Sequence, residues 1–539
     1  MTTLLTGTDT LTRDALAVLQ PGFAGATAPD WVLRRIGEGL SSVALFGRNI
    51  RTPEQISALT AQLRAERDDL LVAIDEEGGD VTRLEVRHGS SFPGNYALGT
   101  VDDLDLTRSV ARELGRRLAA CGVNFNWAPS ADVNSNRNNP VIGVRSFGAD
   151  PDLVARHTAA YVDGLQSAGV AACAKHFPGH GDTAVDSHHA MPRIDVDLDT
   201  LHARDLLPFR AAVAAGSKAV MSAHILLPAL DPNRPATLSP QILLGLLREE
   251  LGFDGLIVTD GMDMEAIVAT YGIERGTALA IAAGADAICV GGGPSDEGTV
   301  LRLRDALVAA VRDGELPEER LADAAARVRA LADWTVRARG AAEPGADSQE
   351  GTAPGTTSVT LSGPASGSAG DSVSASVSRT AAADDAPIGL VAARRAVRVT
   401  GTGKPLDEAP YVAAFTPLAN IAVGDETPWG VAPELERLLP GTETGAYTSA
   451  GIDGTDTAAL AGKVLAAAGD RTIVAVVRDL HRHAWMADAL DGLLAARPTT
   501  IVVEMGVNEA EPRGALHIAT HGAARVCGTA AAEVIAGRV

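Results

Sequence analysis

The chain has 539 residues, 46% of them hydrophobic, with 68 acidic against 46 basic side chains and a formal net charge of −22. That length exceeds one ordinary domain and suits a large α/β barrel with a smaller companion. The acidic balance disfavours nucleic acid and anionic membrane as partners, and no stretch approaches the roughly 20 apolar residues of a membrane span. The opening residues, "MTTLLTGTDTLTRDALAVLQPGF", lack the basic-then-apolar pattern of a secretory signal, so the expected location is the cytoplasm. Cys121, Cys173, Cys289 and Cys527 lie far apart with no CxxC, and are expected as reduced core thiols.

Short apolar runs come first along the chain: "AVLQPGF", "SVALFG", "LLVAIDEEGG", "GVNFNWAPSADV", "GVAACAKHFPG", "KAVMSAHI", "GLIVTDGMDM" and "ADAICVGGG". Each is apolar at its start and carries Gly, charge or His at its end. Amphipathic stretches such as "PEQISALTAQLRAE" lie between most of them. Eight β-then-α units predict an N-terminal (β/α)8 TIM-type barrel over residues 1–340, with its chemistry at the C-terminal strand ends. Residues 341–386 are rich in Ala, Gly, Ser, Thr and Pro and nearly empty of large apolar side chains, the composition of a flexible linker. Residues 387–539 alternate strand-like runs, "YVAAFT", "RTIVAVVRD", "TTIVVEMG" and "ARVCG", with helical stretches, and predict a smaller C-terminal α/β sandwich domain.

The segment "KHFPGHGDTAVDSHHAMP" (175–192) gathers four histidines and two aspartates on one loop. Asp186 stands two residues before His188. A carboxylate there can hydrogen-bond one ring nitrogen, fix the tautomer and favour the imidazolium, leaving the other nitrogen to give and take a proton. A zinc site on His176, His180, His188 and His189, a structural His-rich turn and an Asp186–His188 acid/base dyad all draw on these residues. The spacing matches no zinc motif, and the other strand ends favour the dyad. Asp260 closes the seventh run just before Gly261. It suits a nucleophile on a sugar carbon or a helix N-cap, and Asp263 is available for the cap. Asp75 ends the third run, with Arg83 in the loop beyond; Arg145 follows the fourth; Lys175 and His176 end the fifth. Any one alone reads as a salt-bridge group, but together they converge on one barrel mouth.

The stretches "LFGRN", "IDEEGG", "APSADV", "GVRSFG", "KHFPGHGDTAVDSH", "MSAHI" and "VTDGMDM" resemble, in order and over roughly residues 15–335, the β-N-acetylglucosaminidases of glycoside hydrolase family 3. The resemblance implies Asp260 as nucleophile, His188 as acid/base with Asp186 as its partner, and Asp75, Arg83, Arg145, Lys175 and His176 as N-acetylglucosamine-binding residues. It implies no cofactor and no metal, and a small carbohydrate substrate with no nucleic acid or membrane partner. Terminal N-acetylglucosamine on cell-wall muropeptide-type fragments is the expected substrate. A phosphorylase or β-glucosidase on the same barrel, a metal-dependent hydrolase and a non-catalytic sugar-binding protein are the alternatives. Two features stand apart from the family pattern. Asp80 follows "EEGG" where Arg is common, and the linker is long for a hinge between packed domains. Glu504, in "VVEMG", is the second-domain carboxylate to consider should His188 prove unimportant.

Overall fold

The computed structural model describes residues 9–185, 191–291, 296–342, 386–417, 423, 426–448 and 457–538. Asp186, His188 and most of the expected linker lie outside the described residues.

All eight barrel runs form strands: β1 (Leu19–Pro21), β2 (Ser42–Leu45), β3 (Leu71–Ile74), β4 (Phe125–Asn126), β5 (Ala171–Phe177), β6 (Ala219–Ser222), β7 (Leu256–Thr259) and β8 (Ile288–Val290). β2 to β7 pair in parallel in chain order, β1 pairs in parallel with β8, and Val258 on β7 bridges Ala287 at the entrance to β8. The result is a curled parallel sheet wrapped by helices. Side chains alternate as a curled sheet requires. Ala73, Phe125, Cys173, Met221, Val258 and Cys289 pack together inside the curl. Val72, Ile74, Ala172, Val220, Ile257 and Ile288 pack outward against the helices. Helix starts are set locally: Thr52, Asp103 and Asp150 each accept a backbone N–H from the first turn of the helix that follows.

The helix Glu318–Ala342 closes one end of the curl. Its Val328 and Leu331 join the inner layer. Thr335 accepts from Asn124, just before β4, and Trp334 lies under Lys218, just before β6. Those contacts put the plug at the strand starts, so the strand ends remain for chemistry. All four cysteines are buried and free, as expected of core thiols.

The second unit is a six-stranded sheet between two helical layers. Its strands are β9 (Arg398–Gly401), β10 (Tyr411–Thr416), β11 (Glu443–Thr448), β12 (Ile473–Val477), β13 (Ile501–Glu504) and β14 (Leu516–Ala519), in the order β11-β10-β12-β13-β14-β9 with only β9 antiparallel. One sequence expectation is corrected. "ARVCG" is no strand: Ala524 precedes the buried, alanine-rich helix Arg525–Ile535, which contains the rest. Ala, Gly and Cys there pack a helix closely against the sheet, where a strand would need larger side chains.

The second unit rests on the β3 loop of the first. Asp80 pairs with Arg478 and accepts the Ala523 N–H at 2.9 Å, its side chain only 1% exposed. Arg525 donates to Ser91 at 2.6 Å, and Arg395 pairs with Asp103 at 2.8 Å. An arginine at position 80 would face Arg478, so the departure at Asp80 belongs to the domain contact.

Candidate active site

Asp260 sits one residue beyond β7. Its backbone N–H donates to Ser222 O on β6 at 3.1 Å, and Met262 N–H donates to Cys289 O on β8 at 2.9 Å, so neighbouring strands hold the turn from both sides. His224 Nε2–H donates to Gly261 O at 2.9 Å. The Gly261 N–H donates to the Asp260 carboxylate at 2.8 Å. Neither Asp260 nor Asp263 is a helix cap. The following helix, Glu265–Tyr271, starts after Met264 with no side-chain cap. Asp263, the residue available for the cap, instead accepts the Gly291 N–H at 3.4 Å and faces Arg48.

The five expected sugar-binding residues meet in one network, joined by two carboxylates that sequence reading left unassigned. Arg83 donates to Asp75 at 3.2 Å, and Lys175 Nζ reaches Asp75 at 2.5 Å and Glu77 at 2.6 Å. Arg145 grips Glu77 with two parallel bonds, at 2.7 and 3.0 Å. Burial works against ionising Glu77, but the Arg145 and Lys175 charges outweigh it and hold the carboxyl far below its ordinary range. Burial likewise opposes charge on Lys175, yet Asp75 and Glu77 raise its pKa. Arg83, Arg145 and Lys175 thus share the anions Asp75 and Glu77 in a nearly dry place, Lys175 being 2% exposed.

Asp132 is the second unassigned carboxylate. It accepts the His176 backbone N–H at 3.2 Å, the His180 backbone N–H at 2.7 Å and the His176 ring Nδ1–H at 2.7 Å. Burial pushes against its ionisation, and the His176 ring hydrogen bond with the His180 backbone hydrogen bond holds it at about 2. His176 Nε2 in turn faces an Arg145 guanidinium nitrogen at 3.3 Å. A guanidinium only donates, so the proton of His176 sits on Nδ1 and Nε2 accepts. That engagement leaves His176 no lone pair for a metal. Among the described residues, no three His, Cys, Asp or Glu side chains gather as a metal-holding group.

The glycines of the loop are fixed by packing. A Cβ on Gly181 would stand 1.6 Å from Val133 O, and one on Gly179 2.9 Å from the Asp205 Cβ. Arg204 pairs with Asp182 at 2.9 Å at the base of the same loop. The expected dyad, Asp186 and His188, lies outside the described residues. Glu504 is no free carboxylate: it accepts the backbone N–H groups of Asp479, Leu480 and Gly506 at 2.9 to 3.2 Å, and burial, with Asp479 nearby, raises it to about 7. It shapes second-domain turns. Glu77 on the loop after β3 and Asp132 on the loop after β4 could have been noted from that position at the strand ends.

Residues 31–331 match the model of the glycosyl hydrolase family 3 N-terminal domain. The chain is 38% identical over 317 residues to β-hexosaminidase A of Pseudoalteromonas piscicida, covering 54% of this chain and 53% of that protein, so it spans about half the length of that relative. It is 39% identical over 306 residues to a β-hexosaminidase of Chromobacterium violaceum, covering 55% of this chain and 82% of that one. The fold of the whole chain is similar to a family 3 β-N-acetylglucosaminidase from Paenibacillus sp. str. FPU-7, with a TM-score of 0.79 and 32% identity over 99% of this chain and 97% of that one. With a family model over more than half its length, and relatives that carry β-hexosaminidase and β-N-acetylglucosaminidase names, the chain belongs to glycosyl hydrolase family 3.

Proposed function

We propose that this protein is a retaining exo-β-N-acetylglucosaminidase acting on cell-wall muropeptide-type fragments in the cytoplasm, with its eight parallel strands forming one closed (β/α)8 barrel. The observation that carries the reading is the convergence of Asp75, Arg83, Arg145, Lys175 and His176, through Glu77 and Asp132, at the strand ends that also present Asp260. The relatives' names and the family resemblance support the acetamido sugar over glucose.

In this reading Asp260 attacks the anomeric carbon while His188, oriented by Asp186, protonates the leaving oxygen. A glycosyl–Asp260 ester forms with inversion. His188 then takes a proton from water, which attacks with a second inversion and gives net retention. The buried cations Arg145 and Lys175 hold acceptor groups of the sugar, and Asp75 takes its hydroxyls. A spent His is neutral where a spent Glu would be an anion, so inorganic phosphate can replace water as acceptor on the same site. The test is release of nitrophenol from the β-N-acetylglucosaminide and the β-glucoside side by side, with and without phosphate. Preference for the acetamido sugar is the expected result. Preference for the glucoside would overturn the substrate class, and a phosphate-dependent rate would make the enzyme a phosphorylase.

A further inference from the structure

His180 lies on the loop beside the described network and has no part in the reaction as set out above. Its side chain is enclosed, the residue being 2% exposed, and its ring meets the His176 ring edge-on with centroids 5.9 Å apart. One half of the residue is tied down. The backbone N–H donates to Asp132 at 2.7 Å, the carbonyl accepts from Asn139 Nδ2 at 2.9 Å, and ring Nδ1 lies 3.0 Å from Thr183 Oγ1. The other ring nitrogen, Nε2, is buried and has no hydrogen-bond partner among the described residues. Native proteins rarely leave such an atom unpaired, because the loss of hydration goes uncompensated.

The Thr183 hydroxyl has one proton and two nearby acceptors, His180 O at 3.1 Å and His180 Nδ1 at 3.0 Å. If it serves the carbonyl, Nδ1 carries the ring proton and Nε2 is a bare acceptor. If it serves Nδ1, Nε2 carries the proton and is a bare donor. A hydroxyl satisfies both cases, since it donates and accepts. Burial depresses the imidazole to about 4, so at neutral pH the ring offers a neutral contact, suited to an uncharged sugar oxygen. Asp260 acts in the opposite sense on the same ring, which puts His180 within its electrostatic reach.

We infer that His180 Nε2 binds a hydroxyl of the sugar in the glycone pocket, making His180 a positioning residue for the substrate beside His176. The inference rests on the proposed glycosidase reaction and deepens it.

Two substitutions separate this role from structural support. His180→Asn keeps an amide near the Nδ1 position and the Thr183 contact but places nothing at Nε2. His180→Gln reaches the Nε2 position. Rates are measured on the nitrophenyl β-N-acetylglucosaminide and its 3-, 4- and 6-deoxy analogues. The Asn variant is expected to lose about 10- to 100-fold in kcat/KM on the parent sugar, the scale of leaving one buried polar group unpaired. It should lose far less on one of the deoxy analogues, and the Gln variant should recover part of the loss. Equal losses for both variants on all four substrates would overturn the assignment and leave the proposed reaction standing. No turnover of any N-acetylglucosaminide by the unsubstituted protein would overturn the proposed reaction and the assignment with it. A crystal structure of the unsubstituted protein with N-acetylglucosamine requires no variant to fold. A sugar oxygen within about 3.2 Å of Nε2 supports the assignment, and none within hydrogen-bond distance overturns it.

Discussion

Glu77→Gln removes one negative charge from a place where two cations depend on it. Glu77 meets Arg145 at 2.7 Å and Lys175 at 2.6 Å, with side-chain exposures of 3%, 6% and 2%. At an effective dielectric of about 20, a pair of unit charges at such a separation is worth about 6 kcal/mol. Desolvation of several kcal/mol per ion offsets most of that gain, and breaking a buried pair from one side typically costs about 3–5 kcal/mol. The cost here arises because Arg145 and Lys175 would then depend on Asp75, which Arg83 already shares, and on Asp132. Glutamine keeps the shape of the side chain and can still accept one bond, so the loss reports charge and not volume. The assay is urea denaturation followed by tryptophan fluorescence at pH 7, with Lys175→Met and the double variant alongside. Glu77→Gln is expected to lose about 3–5 kcal/mol. The double variant restores the charge balance and should lose less than the two single losses combined, by about 1–3 kcal/mol. A Glu77→Gln loss under about 1 kcal/mol, or strict additivity, would refute the picture of a coupled buried ion cluster.

Glu76 gives a pH test. Burial raises its carboxyl from 4.5 to about 7, against the opposing N–H bonds of Leu84 and Arg83. A raised carboxyl pKa means the folded state holds the proton longer, so stability is full below the unfolded value and falls as pH rises through about 7. Thermal melting should therefore show Glu76→Gln gaining on the native protein between pH 5 and pH 8, and a constant difference across that range would contradict it. Asp80→Asn leaves the buried Arg478 without its counter-charge and should weaken the domain contact by about 2–4 kcal/mol, visible as faster proteolysis between the units. Arg478→Met in the same chain should restore much of the loss. Gly181→Ala drives a methyl group into Val133 O and should cut kcat/KM at least about 100-fold, as misplacement near a reacting group does. Gly37→Ala, in the helix Asp30–Glu38 with nothing within 4 Å, should instead stabilise by about 0.5–1 kcal/mol in the same melting assay.

The eight strands of the first unit were legible because each is a short apolar run with a polar end, and that pattern survives in one dimension. Asp75, Lys175 and His176 stand at those polar ends, while Arg145 lies on the long loop after β4. Edge strands were not. All four residues of Arg398–Gly401 are exposed, and Glu443–Thr448 is mostly exposed, so neither carries an apolar run to read. Glu77 and Asp132 went unassigned because their meaning lies in partners 68 and 44 residues away, Arg145 and His176. Gly181 is required by a carbonyl from another segment, a constraint that its local sequence does not carry. Asp80 drew notice as a departure from a pattern, and only the second unit's Arg478 explains it.

The most direct measurement is mass-spectrometric mapping of the enzyme after brief reaction with a 5-fluoro β-N-acetylglucosaminyl fluoride, a substrate whose glycosyl-enzyme breaks down slowly. The expected result is one sugar mass added per chain, on the peptide that carries Asp260, and none on Asp260→Asn. An enzyme that turns the compound over with no adduct, or with the sugar on another carboxylate such as Glu504, would contradict Asp260 as the nucleophile.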